Sequence, residues 1–378
     1  MDKEIRSISL LSGCSPERIR SLLEKGVLQR VGMDPVYYRF RHRHRKIEKG
    51  TVIFPEEKEI IKGYPKIRRL YTLEKGLGKY FPNRFYAEEK LDGYNVRVAL
   101  VGNEKYALTR GGVICPYTTE RIKRQEKQVA EFLEENPEKV LCGEVIGLEN
   151  PYQEKSYPEA REFGYYIFDV RDKKTNKPLP VEKRRRVLEE HKVKQVPLLG
   201  LFRPRDWKKL LTEVRMLGNQ GREGVVLKSP DMKTVIKYTS NQNTNRDLEY
   251  AFRFYSDYGQ AFFFRRIVRE AFQAWETGLE GKALEQEAAR LGKSIMFPMV
   301  QTIREIANGK EVTEDFTITM PSRKLGEEFI QHLEHLGIVI RVNKIEKTKE
   351  GYKFWISRRY QSTNDKTKHY IDGGLSEE

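Results

Sequence analysis

The sequence lacks the features of a secreted or membrane-bound protein. Its three cysteines, Cys14, Cys115 and Cys142, are too few for a disulfide framework and too scattered for a zinc site. No apolar run approaches the ~18 residues that a membrane span needs, and the amino terminus lacks the apolar core of a signal peptide. These absences predict a soluble, cytoplasmic protein with no membrane partner.

Acidic residues are outnumbered by basic ones. The chain has 55 Asp and Glu against 71 Lys and Arg, which gives a formal net charge of +16. Such a protein attracts polyanions, so nucleic acid is the first partner to consider, although many basic proteins bind none. A length of 378 residues allows two or three domains with a sizeable core.

The first functional signal is the segment 88–97, which reads Glu-Glu-Lys-Leu-Asp-Gly-Tyr-Asn-Val-Arg. Lys90 acts as a nucleophile only after losing a proton, which at neutral pH costs ~4 kcal/mol against an ordinary pKa of about 10.4. We expect desolvation, neighbouring cations or a metal to lower that pKa. Asp92 would orient the amine or hold a metal, and Gly93 would allow a tight turn. A plain turn between strands is the alternative, because Lys-x-Asp-Gly arises by chance in roughly one such chain in ten.

Further polar residues follow in apolar surroundings. Glu144 and Glu223 each stand beside a glycine and an apolar strand, where a carboxylate needs a partner such as a hydroxyl or a metal-bound water. Phe168 lies in a strand that reads as buried, and a core phenylalanine is the simpler interpretation. Arg110 ends the second strand of a predicted hairpin that starts behind Lys90, and there a surface arginine is the alternative.

Together with Lys237, these segments resemble, in the same order, the five motifs of the covalent nucleotidyltransferases. That superfamily contains the ATP-dependent DNA ligases, the RNA ligases and the mRNA capping enzymes, and the resemblance covers roughly residues 67–239. It implies that ATP is a substrate, that Mg²⁺ or Mn²⁺ assists, and that Lys90 becomes linked to a nucleoside monophosphate through a phosphoramide bond. The ATP-binding residues that it implies are Glu88, Lys90, Leu91, Asn95, Arg110, Glu144, Phe168, Lys228 and Lys237, and the metal ligands are Asp92 and Glu223.

The resemblance also assigns roles. It places Glu88 on the adenine amino group, Phe168 against the adenine ring, and Glu144 on a ribose hydroxyl or a metal-bound water. It places Arg110 on the nucleotide or the incoming phosphate, and Lys237 on the α-phosphate.

The sequence departs from the family at one position. The family has two lysines two residues apart in its last motif, whereas position 235 of this chain is valine. Lys228 and Lys233 are both candidates to replace the first lysine.

The part of the chain beyond the last motif indicates which branch of the superfamily this is. DNA ligases and capping enzymes resemble each other in carrying an OB barrel and a further basic motif there, and neither is recognisable. The helical and α+β patterns that follow are similar to the archaeal ATP-dependent RNA ligases of the circularising, homodimeric kind, and Asn95 agrees with their version of the first motif. The resemblance implies single-stranded RNA ends as substrates, with DNA 5′ ends as a further candidate. A DNA ligase, a capping-type guanylyltransferase and a non-catalytic RNA-binding protein are the alternatives.

The expected fold class is α+β, with a central ATP-grasp-like adenylylation domain of antiparallel sheets and helices. We expect four units: an N-terminal basic module at 1–66, a nucleotidyltransferase domain at 67–245, a helical dimerisation domain at 246–312 and an α+β domain at 313–378.

Three flanking patterns carry separate predictions. Arg39, Arg41, Arg43 and Arg45 alternate, which predicts one strand face that either binds phosphates or is solvated. Ten aromatic residues within 250–275, interleaved with arginines, predict a homodimer interface that does not touch ATP, with stacking on unpaired bases as the rival interpretation.

The third pattern is a pair of histidines. His332 and His335 lie one helical turn apart and have no third metal ligand nearby, so they predict a solvated helix face.

Overall fold

The N-terminal segment is a helical pair packed on a small sheet. The computed structural model describes residues 2–32, 35–152 and 157–376. Helices α1 (Asp2–Ser12) and α2 (Pro16–Glu24) precede four antiparallel strands, β1 (Leu28–Val31), β2 (Tyr37–Phe40), β3 (Val52–Phe54) and β4 (Glu59–Ile61). Ser15 caps α2 by accepting a hydrogen bond from the backbone N–H of Arg18 at 3.3 Å.

The predicted face of alternating arginines is not formed. Strand β2 ends at Phe40, and Arg45 adopts a left-handed backbone with φ of 53°, which a strand cannot contain. Only Arg39 lies in the strand, where it donates to the carbonyl of Gly111 at 3.4 Å. The prediction of one strand through all four arginines is therefore wrong.

Two larger sheets form the middle of the molecule. Their elements in chain order are β5 (Arg68–Arg69), α3 (Leu73–Tyr80), β6 (Phe85–Lys90), β7 (Tyr94–Val101), β8 (Glu104–Thr109), α4 (Pro116–Gln125), α5 (Lys127–Glu135), β9 (Lys139–Ile146), β10 (Gly164–Asp172), α6 (Val181–Glu190), β11 (Leu198–Phe202), α7 (Trp207–Asn219), β12 (Gly224–Lys228) and β13 (Val235–Thr239). One sheet has the strand order β11-β6-β12-β13-β5, and the other has the order β10-β9-β7-β8.

Alternation along the strands explains how these sheets pack. Phe85 and Ala87 of β6 point into a core with helices α3 and α7, while the residues between them point the other way. On the second sheet, the strands of the N-terminal segment pack against β7 to β9, and buried Arg97 donates to the carbonyls of Gly50 and Lys62, at 2.7 Å each. Fully burying a large apolar side chain of such a core contributes about 1.5–3 kcal/mol.

The chain passes from one sheet to the other immediately after Lys90. Strand β6 ends at Lys90, residues 91–93 cross over, and β7 begins in the second sheet. A side chain at Gly93 would meet the carbonyl oxygen of Val145 at 2.0 Å, so glycine is required there by close approach rather than by a left-handed turn. This crossover leaves Lys90 between the two sheets.

The last third of the chain is helical and then α+β. It comprises α8 (Asn241–Arg253), α9 (Gln260–Glu276), α10 (Gly281–Ala307), β14 (Thr313–Met320), α11 (Arg323–His335), β15 (Val339–Thr348), β16 (Gly351–Arg359) and α12 (Gln361–Ile371). The three strands form an open sheet of order β14-β16-β15, and α11 packs on α4, where Phe329 lies against Tyr117. The architecture confirms the predicted α+β class. No helix within the described ranges is long and apolar enough to cross a bilayer.

Candidate active site

A cavity of about 510 Å³ lies between the two central sheets. All the predicted ATP contacts line it: Glu88, Lys90, Leu91, Asn95, Arg110, Glu144, Phe168, Lys228 and Lys237. Glu223, a predicted metal ligand, borders it through an ion pair with Lys90. Residues scattered over about 150 positions of the sequence thus meet around one space.

The register of the first sheet explains why three of the motifs meet. Glu88 of β6 is opposite Val226 of β12, and Val226 is opposite Lys237 of β13. Directly opposed residues share a face of a sheet, so Glu88 and Lys237 both point toward the cavity. Lys90 is opposite Gly224, where a side chain would meet the carbonyl oxygen of Tyr238 at 2.4 Å.

Lys90 is held by carboxylates. Its ammonium is paired with Glu223 and also feels the charges of Glu144 and Asp92. Burial alone would lower the pKa of Lys90, but the three carboxylates outweigh burial and raise this pKa above its ordinary value. The expectation that the surroundings lower the pKa is therefore wrong.

The carboxylates around Lys90 are candidate ligands for a divalent cation. Burial raises the pKa of Glu144 to about 7, against the lowering effect of Lys90, and Glu223 and Asp92 raise it further. In the described part of the chain, no three or more His, Cys, Asp or Glu residues are arranged to hold a metal by themselves. Mg²⁺ and Mn²⁺ take oxygen ligands, and Mg²⁺ is commonly held by one or two carboxylates together with substrate phosphates. The oxygen donors therefore fit a divalent cation that phosphates also coordinate.

One end of the cavity, which we call the closed end, is formed by Glu88, Phe168 and Lys228. Glu88 is fully buried and accepts hydrogen bonds from Arg184, from Arg185 at 3.1 Å and from Lys228 at 2.5 Å. Burial would raise the pKa of Glu88, but Lys228 and Arg184 lower it to about 2. The carboxylate that we expect on the adenine amino group is thus already bonded to cations.

A bulge directs Phe168 at this end. Strands β9 and β10 pair Ile167 with Gly143 and Asp169 with Cys142, so Phe168 is the extra residue without a partner opposite. A bulge re-aims a side chain, and here it turns Phe168 into the cavity, edge-on to Tyr64 at 5.3 Å between ring centroids. This position suits an aromatic base, which would lie against the ring.

Lys228 and Lys233, the two candidates for the missing lysine, differ in burial and in bonding partners. Lys228 is buried and bonds both Glu88 and the carbonyl of Phe168 at the closed end. Lys233 is 86% exposed and pairs with Asp231 on the surface. Lys228 is opposite Val235, the position of the missing lysine, in the register of β12 and β13.

The other end, which we call the open end, is formed by Asn95, Arg110 and Lys237. Burial lowers the pKa of Lys237 to about 8, and the neighbouring cations Arg69 and Lys90 add to that effect. The Oδ1 atom of Asn95 is buried and has no hydrogen-bond partner within the described ranges. The orphaned acceptor needs a donor such as a ligand hydroxyl, and the crowded ammonium of Lys237 favours an anionic group. Together they indicate a place for a polar ligand that carries both.

Several lining residues lay outside the sequence prediction. They include Tyr64, Ile67, Tyr94, Tyr152, Val196, Val226 and Leu336. Leu336 follows α11, so the C-terminal module reaches the cavity, which no pattern in the sequence indicates. The partner of Glu88, Arg184, was visible only as one of several basic residues on a predicted helix.

His332 occupies an unexpected environment. It is buried and bonds the hydroxyl of Tyr152 at 3.1 Å between Nε2 and Oη. Burial lowers the pKa of His332 to about 4, with smaller effects from His335 and Arg39. The prediction of a solvated face is wrong for this residue, because α11 docks on the central domain.

Two family models and several solved structures match this chain. The RNA ligase family model matches residues 83–239, and the model for the C-terminal region of the ligase Pab1020 matches residues 250–374. A solved archaeal ATP-dependent RNA ligase is 38% identical with a TM-score of 0.91, covering 98% of this chain and 99% of that one. A putative ATP-dependent DNA ligase from Aquifex aeolicus is 29% identical with a TM-score of 0.89, over 96% of this chain and 100% of its own.

One curated protein is also similar to this chain. An uncharacterised protein of Methanocaldococcus jannaschii is 39% identical over 349 residues, which are 89% of this chain and 88% of that protein. Since the archaeal RNA ligase matches at 38% identity over nearly its whole length, this chain belongs to the family of archaeal ATP-dependent RNA ligases.

Proposed function

We propose that this enzyme joins an RNA 5′-phosphate to an RNA 3′-hydroxyl through a lysyl-AMP intermediate and an adenylated RNA. The observation that carries the proposal is the meeting of Lys90, Glu144, Glu223 and Lys237 around one cavity, in a chain that matches an archaeal ATP-dependent RNA ligase over 98% of its length.

The first step forms the lysyl-AMP. Nζ of Lys90 attacks the α-phosphorus of ATP, a phosphoramide N–P bond forms, and the P–O bond to pyrophosphate breaks. Glu223, the hydrogen-bond partner of Lys90, is placed to take the proton that the amine loses. Lys237 and Arg110 offset the negative charge that develops on the phosphates. A divalent cation held by Asp92 and Glu223, when bound, would supply further charge neutralisation.

The later steps move AMP and then expel it. The RNA 5′-phosphate attacks the lysyl-AMP and frees Lys90, which gives adenylated RNA. The 3′-hydroxyl then attacks the activated phosphorus, the phosphodiester bond forms, and AMP leaves. Asn95, opposite Glu144 in the register of β7 and β9, would orient the transferred phosphate by donating from its side-chain NH₂ group, while its unpartnered Oδ1 accepts from a ligand hydroxyl.

The experiment is covalent labelling. The protein is incubated with ATP labelled on the α-phosphate and with Mg²⁺ or Mn²⁺ and then denatured, and we expect label to stay on the chain. Lys90→Ala should abolish labelling but still seal RNA that is already adenylated, while Lys79→Ala, an exposed lysine, should behave as wild type. Full labelling of the Lys90 variant would contradict the proposal, and GTP in place of ATP tests a capping-type activity.

DNA 5′ ends are a second candidate substrate. The observation in favour is the likeness to the putative ATP-dependent DNA ligase, which spans nearly the whole of both chains. Matched RNA and DNA strands with labelled 5′-phosphates would be compared for transfer of AMP and for sealing. We expect the DNA 5′ end to be adenylated more slowly than the RNA 5′ end.

We further propose that α9 and α10 form a homodimer interface. Phe264, Trp275 and Phe297 are 69%, 70% and 67% exposed, which is unusual for large apolar side chains that face water in a monomer. Phe262 and Phe263, two of the ten aromatic residues on which the sequence prediction depends, are instead half-buried against Tyr258 and each other. The anchors are therefore the exposed side chains.

Light scattering tests this interface. The wild type should have about twice the chain mass of 44.5 kDa, and the double change Phe264→Ser and Phe297→Ser should give monomers. Leu10→Ser, which changes an exposed leucine of α1, is the control and should remain dimeric. A monomeric wild type at micromolar concentration would refute the interface.

A further inference from the structure

The helical segment is in contact with the catalytic sheet. The sequence predicted that residues 246–309 stay away from ATP. In the structure, Arg269 of α9 donates to the side-chain oxygen of Thr239 at 3.0 Å, and Gln273 donates to the backbone carbonyl of Thr239 at 2.6 Å. Thr239 ends β13, two residues after Lys237, and therefore points to the same face.

A second arginine reaches the same hydroxyl from the sheet. Arg69 lies on β5, the edge strand that pairs with β13 in parallel, and it is in register with Lys237. Its guanidinium donates to Oγ1 of Thr239 at 2.5 Å. One hydroxyl oxygen therefore holds two guanidinium groups, one from β5 and one from α9, beside Lys237.

None of these three cations forms a direct ion pair with a carboxylate of the described residues. In the described residues, Arg69, Lys237 and Arg269 make no ion pair, whereas nearby Arg266 pairs with Asp247 at 2.7 Å. Arg269 is only 5% exposed, and its Nε has no hydrogen-bond partner. Burial and the neighbouring Arg69 lower the pKa of Arg269 to about 10, which reflects the same crowding of positive charge. Glu223 and Asp247 lie close enough to oppose this lowering in Arg69 and Arg269, but neither forms an ion pair with them. The counter-charge at this cluster is therefore partial, and a bound anion would complete it.

We infer that Arg69 and Lys237 form a phosphate-binding subsite next to the α-phosphate position, and that Arg269 positions Arg69 through Thr239. The inference rests on the proposed ligase function and adds a subsite to it. Arg69 supplies, from the neighbouring strand, the second cation that Val235 does not provide, since Lys228 and Lys233 are engaged elsewhere. The ligand is a phosphate group, which comes either from the β- and γ-phosphates of ATP or from the RNA 5′ end.

Four variants distinguish a residue that contacts the phosphate from one that positions Arg69. Arg69→Gln removes the contact group, Arg269→Gln removes the positioning group, and Arg269→Lys keeps its charge. Thr239→Val removes the shared hydroxyl and keeps the side-chain shape, so it serves where loss of buried Arg269 unfolds the protein. Arg265→Gln, which alters an exposed arginine of the same helix, is the matched control.

The assays use the isolated lysyl-AMP enzyme. Inorganic pyrophosphate is titrated in one arm, where its oxygen displaces Lys90 from phosphorus and regenerates ATP. RNA with a 5′-phosphate is titrated in the other arm, where it takes AMP. For Arg69→Gln we expect the KM for one of these two ligands to rise about tenfold, as loss of a charge-assisted hydrogen bond implies. Arg269→Gln and Thr239→Val should raise the same KM about threefold at nearly constant kcat, and Arg269→Lys should recover part of the loss.

The outcomes are distinct. An effect with pyrophosphate identifies the ATP phosphates as the ligand, and an effect with RNA alone identifies the RNA 5′-phosphate; either supports the subsite. Unchanged KM values for both ligands in folded Arg69→Gln overturn it. An effect of Arg69→Gln together with none from Thr239→Val overturns the positioning role of Arg269. If the wild type forms no lysyl-AMP, it is the proposed function that fails.

Discussion

The two ends of the cavity treat positive charge in opposite ways. At the closed end, Arg184 and Lys228 both bond the buried carboxylate of Glu88. At the open end, Arg110 and Lys237 form no direct ion pair in the ranges that the structure describes, and Glu223 acts on Lys237 only from a distance. The difference indicates that the closed end is complete as folded, whereas the open end is arranged for charge that a ligand brings.

The physical reason lies in the cost of burying charge. A fully buried ion must be paired when the chain folds, because it has no water to solvate it. A cation that borders an open cavity keeps part of its hydration and can bind an anion later. Four variants or conditions can test this contrast, and the largest effect is expected from the first.

Breaking the closed end should destabilise the fold. Glu88→Ala leaves Arg184 and Lys228 buried without their counter-ion, which should cost about 3–5 kcal/mol in the free energy of unfolding. Denaturant unfolding measures the change. Glu134→Ala, which breaks the pair of an exposed glutamate with Lys105, should cost less than about 1 kcal/mol. Equal costs for the two variants would remove the distinction between the two kinds of pair.

Breaking the open end should impair chemistry and leave the fold intact. Lys237→Ala should slow formation of the lysyl-AMP by roughly 10²–10³-fold, the usual cost of losing a group that stabilises transition-state charge. Its thermal unfolding should match that of the wild type, because no folded-state ion pair is lost. Single-turnover labelling and thermal unfolding together test this, and a large loss of stability would show that Lys237 is structural.

Acid should weaken the closed end selectively. Because Lys228 and Arg184 hold the pKa of Glu88 at about 2, below its ordinary value of 4.5, Glu88 contributes stability that is fully present above pH 4.5. That contribution is lost as the pH falls from 4.5 through 2. Thermal unfolding of Glu88→Gln should therefore depend less on pH in this window than that of the wild type, and parallel curves would contradict the assignment.

Replacing the surface lysine should change almost nothing. Lys233→Ala removes an exposed pair with Asp231, so we expect stability within about 0.5 kcal/mol of the wild type and labelling within about twofold. A labelling defect comparable to that of Lys237→Ala would return Lys233 to the list of phosphate ligands.

Much of the site was predictable because its signals are local or belong to an ordered set of motifs. Glu144 stands out as a carboxylate within an apolar strand, and Lys90 is marked by the residues around it. The structure brings both to one cavity, together with Phe168. Only Glu144 shows its need for a partner within a few residues of sequence. The roles expected of Lys90 and Phe168 depend on the ordered resemblance to the motifs of the family.

The remaining features could not be predicted, because they depend on how distant segments meet. Phe168 faces the cavity through a bulge, which needs the partner strand to be known. The alternation of arginines predicted a strand that a left-handed residue at Arg45 interrupts. His332 is buried only because α11 docks beside Tyr152, and no local pattern encodes that docking.

The sequence by itself determined which chemical groups are available: an amine at Lys90, carboxylates at Glu144 and Glu223, and a valine where a lysine was expected. Only the tertiary structure decided how these groups are charged and paired. Glu88 meets Lys228 across 140 positions of the chain, and Lys90 meets Glu223 across 133. Electrostatic energy depends on distance and on burial, and neither can be read from the order of the residues.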